Sequence, residues 1–247
     1  MGNSNYIPVP SDLRTYNHET VDEVIKTLET GDIILFQEEA KCGSIFRLID
    51  WAIRCCTRSK FSHVGIVVKN PPMGFLNENN EWVTLHEDNQ QEDKCFIWDS
   101  SKHFTRDPAD NRIKFGIALV PAIHYFNNPK LKHQTLYKRS PKNKKTKDKW
   151  TTEAIQKLYK FVYNKPYDVR LLHWLAGAFH IIIPKTTDTF WCSAFVTYAL
   201  CSVGILDEKC TNWTLRTPQD LSSTSSDNNL KWNPGMDYGD DEKIWKF

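Results

Sequence analysis

At 247 residues and a net charge of +2, the chain is long enough for one sizeable core and has no global bias toward nucleic acid or acidic membranes. Its 40% hydrophobic and 25% charged content is that of an ordinary globular protein, and nine tryptophans predict an aromatic-rich core or cleft. Seven cysteines, an odd number, are not spaced as a secreted disulfide framework. The first twenty residues hold Asn3, Ser4, Asn5, Asp12 and Arg14 but no apolar signal region, so a reducing, cytoplasmic setting is expected. Met1-Gly2-Asn3-Ser4-Asn5-Tyr6 opens like a myristoylation signal but has Tyr6 where Ser or Thr is required.

The first periodic segment runs from about Thr20 to Glu29, with Val21, Val24, Ile25 and Leu28 on one helical face. Thr30-Gly31-Asp32 punctuates, and Ile33-Ile34-Leu35-Phe36 reads as a buried strand. Ser44 is placed to cap a helix whose Ile45, Leu48, Ile49, Ala52, Ile53 and Cys56 form an apolar stripe. The pattern then becomes that of short strands, His63 to Val68, Trp82 to Leu85, Cys95 to Trp98 and Ile117 to Val120, with a loop from Pro71 to Asn80. Because loops rather than helices link them, a small, mostly antiparallel sheet is expected.

Lys138 to Lys149 is expected to be a solvated basic loop, contact with an anionic partner being the alternative. Helices are expected over Thr151 to Tyr163, Val169 to Ile182 and Cys192 to Val203. The last buries Phe195, Val196, Ala199, Leu200 and Val203 and ends at Gly204. The apolar stretch Leu171 to Pro184 is interrupted by His173 and His180 and is too short to span a membrane. Residues 223–247 read as an irregular tail in which Trp232, Trp245 and Phe247 are available to dock. Strands segregated from helices predict one α+β domain over 1–247, with a core at about 20–222.

Cys192 is the residue with the clearest chemical setting. It follows a stretch of turn formers and opens an apolar helical run, so its thiol lies at the positive end of a helix dipole, which favours thiolate. A free cysteine is ordinarily a small buried hydrophobe, so a nucleophile needs a base, an orienting group and oxyanion donors. His63, leading the strand of Ser62-His63-Val64-Gly65-Ile66, is the candidate base. His18, His86, His103, His124, His133, His173 and His180 compete, most of them in loops or in the apolar helix. Asp99, closing the strand Cys95 to Trp98, is the candidate orienting group, with His86, Glu87, Asp88 and His103 as neighbours. The Cys192 backbone N–H is the candidate oxyanion donor; Tyr167 and Trp191 are candidates to line the substrate cleft. No C-x-x-C, H-E-x-x-H, Walker loop or G-x-G-x-x-G is present, so neither metal nor cofactor is expected.

Gly31-Asp32-Ile33-Ile34-Leu35-Phe36, Phe61-Ser62-His63-Val64-Gly65-Ile66, Lys165-Pro166-Tyr167-Asp168, Phe190-Trp191-Cys192-Ser193 and Thr217-Pro218-Gln219-Asp220-Leu221 occur in that order. This series resembles the YiiX/YebB-like cysteine hydrolases, a branch of the NlpC-type papain-like superfamily with members in poxviruses and other large DNA viruses. Lecithin:retinol acyltransferase-like proteins are a more distant relation. The resemblance covers about Gly31 to Leu221. It implies a circularly permuted papain-like fold in which the histidine strand precedes the cysteine helix. It implies Cys192 as nucleophile and His63 as base; the third polar position varies among such proteins, and Asp99 fits it by location. The implied function is a thiol hydrolase or acyltransferase acting on an amide, ester or thioester in a peptide, N-acyl or lipid acyl substrate, in a host cell or virion if the source is viral. The contrasting expectation is a catalytically silent papain-like binding protein, such as a viral host-interaction factor.

Overall fold

The computed structural model describes residues 18–38, 59–72, 74–76, 82–84, 95–127, 134–169, 184–225 and 230–246. Strands β1 (Ile33–Glu38), β2 (His63–Lys69), β5 (Cys95–Lys102), β6 (Phe115–Pro121), β7 (Gln134–Arg139) and β8 (Glu242–Lys246) form one open sheet in the order β6-β5-β2-β1-β7-β8. Every pairing in it is antiparallel. Strands β3 (Gly74–Leu76) and β4 (Trp82–Thr84) make a separate two-stranded ribbon. The described helices are α1 (His18–Lys26), α2 (Ala122–Phe126), α3 (Lys144–Lys147), α4 (Thr152–Val162) and α5 (Cys192–Ser202), so the organisation is α+β.

β1 and β2 are near-continuous apolar runs because both their faces are covered. Ile33, Leu35, Val64, Ile66, Trp98 and Leu119 pack with residues of α4 and α5 on one face. Ile34, Phe36, Val67, Ile97 and Leu136 pack with Val21 of α1, Leu28 just beyond it, and Ala122 and Phe126 of α2 on the other. The Trp98 and Phe195 rings meet edge to face at 5.1 Å, a contact that adds about 0.5–1.5 kcal/mol beyond its area. In α4, Ile155, Leu158, Tyr159 and Val162 make the buried stripe, and the Thr151 side chain caps the first turn by accepting from Ala154 N at 3.2 Å. Gly204, at φ +76°, ends α5 in the left-handed region where a side chain is strained. α5 is not a one-sided helix as its sequence suggests. Nine of its eleven residues are buried, including Ser193 and Thr197, because the sheet and the 3₁₀ turns at Trp213–Leu215 and Pro218–Leu221 enclose it.

Several expectations need correction. The loop placed from Pro71 to Asn80 contains β3. Asp99 does not close a strand: β5 runs on to Lys102, and its polar end is paired with β6 along its length. The tract from Lys138 to Lys149 is not a plain loop. It begins in β7 and contains α3, capped by the Asn143 side chain at 2.9 Å from Thr146 N. Three of its lysines are met by carboxylates, Lys138 by Glu242 and Lys142 by Asp237 from the C-terminal segment and Lys144 by Asp148 one turn on. Nor is the tail wholly irregular. It ends in β8, where Trp245 packs edge to face on Phe126, and Tyr238 donates to Gly31 O at 2.8 Å, fastening it to the start of β1. The helices expected after Ser44 and after Val169 lie outside the described residues, as do His86, Glu87, Asp88 and Phe247.

Candidate active site

The register of β2 against β5 assembles the site. Ile66 lies opposite Trp98 and Val67 opposite Ile97, so Gly65 falls opposite Asp99, with His63 two residues further along the same face. A diagonal neighbour is within reach only if nothing fills the position between. A Cβ on Gly65 would stand 3.2 Å from Asp99 Cβ and 2.5 Å from Ile97 Cγ2, so glycine leaves the room through which the carboxylate leans to His63. Asp99 Oδ2 accepts from His63 Nε2 in a short hydrogen bond and from Tyr125 Oη at 2.7 Å. His63 is at the end of an interior strand, not at the sheet's edge, and its ring packs on Phe36 at 5.0 Å.

Cys192 lies near enough to His63 to bear on the ring's protonation, and with Nε2 committed to Asp99, Nδ1 is the ring nitrogen left to serve the thiol. Cys192 is 7% exposed and begins α5; the preceding Trp191, which caps that helix, offers no side-chain acceptor to its first turn. The N–H groups there remain donors for an incoming oxyanion. The sequence-predicted Cys192, His63 and Asp99 are therefore brought into one neighbourhood, His63 hydrogen-bonded to Asp99 and within electrostatic reach of Cys192.

The electrostatics follow from burial against charge. Burial by itself lowers the proton affinity of His63, but the Asp99 carboxylate and Cys192 outweigh it and raise the ring from 6.5 to about 10. Asp99 is fully buried, which by itself favours its neutral form. The imidazoles of His103 and His63 and the hydrogen bonds from His63 and Tyr125 reverse this and hold the carboxyl below its ordinary 3.8. Burial and the same carboxylate push Tyr125 well above 10, so it stays a phenol that donates. His103 Nε2 bonds Gly116 O at 2.8 Å and stands 3.6 Å from Asp99 Oδ1, an oxygen with no hydrogen bond of its own among the described residues.

Two residues of this cluster have roles the sequence did not reveal. Tyr125 comes from a five-residue helix with no periodicity to mark it. His103 stood only among the alternatives near Asp99. Trp191 and Tyr167, expected to line the cleft, make the following contacts. The Trp191 indole donates to Arg216 O at 3.2 Å, where Ser193 Oγ also donates at 2.6 Å, so Trp191 is a buried brace beside Cys192. Tyr167 stacks on Phe115 at 5.1 Å, and its segment bridges Phe190 and Phe115 through backbone hydrogen bonds.

Burial pushes Cys201 up to about 12, and the exposed Cys210 is raised by its hydrogen bond to Asp207. Among the described residues no group of three or more His, Cys, Asp and Glu is arranged to hold a metal ion, and no helix is long and apolar enough to cross a membrane. A cavity of about 340 Å³ opens beside His63 and Tyr125. No family model matches the chain, and no curated protein matches it.

Proposed function

We propose that the protein is a cysteine-dependent hydrolase or acyltransferase with a circularly permuted papain-like fold, in which Cys192 is the nucleophile, His63 the acid–base and Asp99 the group that orients it. The observation that carries this reading is the His63 ring hydrogen-bonded to the Asp99 carboxylate and within electrostatic reach of Cys192, which opens a helix without a side-chain cap. The chain order, histidine strand before cysteine helix, is that of the permuted form. Cys192 Sγ attacks the carbonyl carbon of an amide, ester or thioester. The oxygen's developing charge faces the Cys192 N–H and the helix dipole. His63 then gives its Nδ1 proton to the leaving atom as the carbonyl–heteroatom bond breaks, which leaves an acyl-enzyme. Water or an acceptor amine attacks that thioester, His63 takes the attacker's proton, and Sγ departs. Peptide, N-acyl and lipid acyl groups are the substrate classes this chemistry admits.

Alkylation with iodoacetamide at pH 6, located by mass spectrometry, tests the assignment. Cys192 should carry the first adduct, Cys192→Ala should abolish it, and His63→Ala should slow it by about 100-fold, the lower end for loss of a positioned acid–base. First labelling at the exposed Cys210 would overturn the nucleophile assignment. With p-nitrophenyl acetate, a burst of nitrophenol equal to the enzyme concentration is expected from acyl-enzyme formation. Alkylation without a burst would favour the silent binding protein instead.

A further inference from the structure

The end of the sheet at the β5–β6 connection has a surface that the candidate site leaves unused. Among the described residues six large apolar side chains are exposed, to between 37% and 64%. Phe104, Ile113 and Phe115 are on that connection and its strand end; Phe161, Tyr163 and Val169 are at and after the end of α4. Scattered singly, such residues need no explanation, but a contiguous group does. These six belong to two segments joined through their backbones. Tyr167 N donates to Phe115 O and Ile117 N to Lys165 O, each at 3.1 Å. A Cβ on Gly116 would stand 2.4 Å from Lys165 O, so the approach is close. The Phe115 and Tyr167 rings stack at 5.1 Å, and Tyr163 Oη donates to Asp110 Oδ2 at 2.9 Å across the same seam.

The charges on these segments are sorted by sign. Between Lys102 and Phe115 both carboxylates turn inward: Asp107 and Asp110 hold the Lys114 ammonium at 2.8 and 3.0 Å, and none of the three side chains is more than 10% exposed. Lys102, Arg106 and Arg112 stay on the surface, where no carboxylate among the described residues pairs with them. Arg106 donates to Asn111 O at 2.7 Å, which positions its charge without neutralising it. From Lys160 to Val169 the pattern repeats. Lys160 is exposed, the Lys165 ammonium stands 5.3 Å from the Phe161 ring centre, and the one carboxylate, Asp168, is buried. What faces outward is apolar groups and positive charge, a local sorting that the net charge of +2 conceals.

We propose that this face is a docking surface for an anionic lipid bilayer. Exposed aromatic and aliphatic side chains enter the boundary between headgroups and acyl chains, while lysines and arginines remain at the level of the phosphates. Single-stranded nucleic acid would use rings for stacking, which the aliphatic Ile113 and Val169 do not supply. The contact is peripheral, since no helix among the described residues is long and apolar enough to cross a membrane. The docking segment also meets the candidate site: Phe190, two residues before Cys192, donates from its backbone N to Pro166 O at 3.1 Å. Bilayer docking does not depend on Cys192 being a nucleophile.

Cosedimentation of the full chain with vesicles tests this. Binding to vesicles of equal parts phosphatidylserine and phosphatidylcholine is expected, weakened by added salt and much weaker on phosphatidylcholine alone. Lys102→Gln combined with Arg112→Gln should weaken it about 30-fold, at about fivefold per cation. Phe104→Ser should weaken it about tenfold, the lower end for burying such a ring. Thermal melting should be unchanged in both, because the altered side chains are exposed. Ile113→Ser is the second apolar probe if Phe104→Ser lowers the melting temperature. No binding of the wild type to the phosphatidylserine vesicles, or binding that the paired cation variant leaves intact, would overturn the proposal. Binding that neither serine variant weakens would overturn it as well, leaving adsorption by charge alone. A labelled single-stranded oligonucleotide bound where vesicles are not would assign the face to nucleic acid instead.

Discussion

Removing a single hydroxyl, in Tyr125→Phe, probes how the buried carboxylate is kept ionised. Tyr125 Oη donates at 2.7 Å to the same Asp99 oxygen that receives His63, while Oδ1 has no hydrogen bond among the described residues. The substitution keeps the ring and its contact with Phe36 at 5.3 Å, so packing is preserved and one charge-assisted bond is lost. Such a bond is worth about 1.5–3 kcal/mol and favours the ionised carboxyl, so Asp99 should titrate higher in the variant. Asp99 is depressed in the folded state, so its stabilisation is present above its unfolded value of 3.8 and is lost as pH falls through the lower folded value. In the variant that loss should begin at higher pH, and melting at neutral pH should fall by roughly 3–10 °C. The acid midpoint of Cys192 alkylation should move upward with it, because a protonated Asp99 no longer holds the charge on His63. Thermal melts across pH 2–7, read beside alkylation rates, measure both. A lower melting temperature with an unmoved acid midpoint would refute the argument and reduce Tyr125 to packing.

Two other outcomes follow from the same geometry. Gly65→Ala puts a methyl against Ile97 and Asp99 and should destabilise the fold by about 1–3 kcal/mol in urea, with slower Cys192 alkylation as Asp99 is pushed from His63; unchanged alkylation would show that the close approach is not needed. The raised His63 gives the opposite pH sign to Asp99: its stabilisation is complete below 6.5 and is lost as pH rises through about 10, so a ring titration followed by NMR should show its midpoint near 10, and a midpoint near 6.5 would contradict the carboxylate–imidazolium pairing.

How far the site was legible depends on what kind of link joins its parts. Cys192 was readable because a helix start is a local event: turn formers, then an apolar run. His63 was readable because a polar ring leads an apolar strand. The link from His63 to Asp99 is made by register, and a slip of one residue would turn Asp99 to the opposite face. Periodicity names strands but does not fix how they slide. The polar stretch Ser100-Ser101-Lys102 therefore read as the end of a strand. In the fold it continues because β6 pairs with it and Ser100 Oγ finds Phe190 O at 2.6 Å from the segment leading to Cys192. β7 and β8 escaped for a related reason. Their lysines and arginine are met by partners distant in sequence, Lys138 by Glu242 and Arg139 by the carbonyls of Gly239 and Leu221, so the local pattern looked like solvated charge. The Trp191 indole bond to Arg216 O is likewise a contact between segments distant in sequence, which adjacency to Cys192 does not signal.

Gly65 is where the two levels meet. In the sequence it is only a gap in the apolar run His63-Val64-Gly65-Ile66-Val67. In the sheet it is the residue opposite Asp99, and the absence of its side chain is what lets a buried carboxylate lean two positions along the neighbouring strand. A β-branched residue there would suit the strand better by propensity and would fill the interior. The strand gives up that packing at the one position where a side chain would separate His63 from Asp99. A departure from local preference located between two titratable groups that need each other is what a site built on register should leave in a sequence.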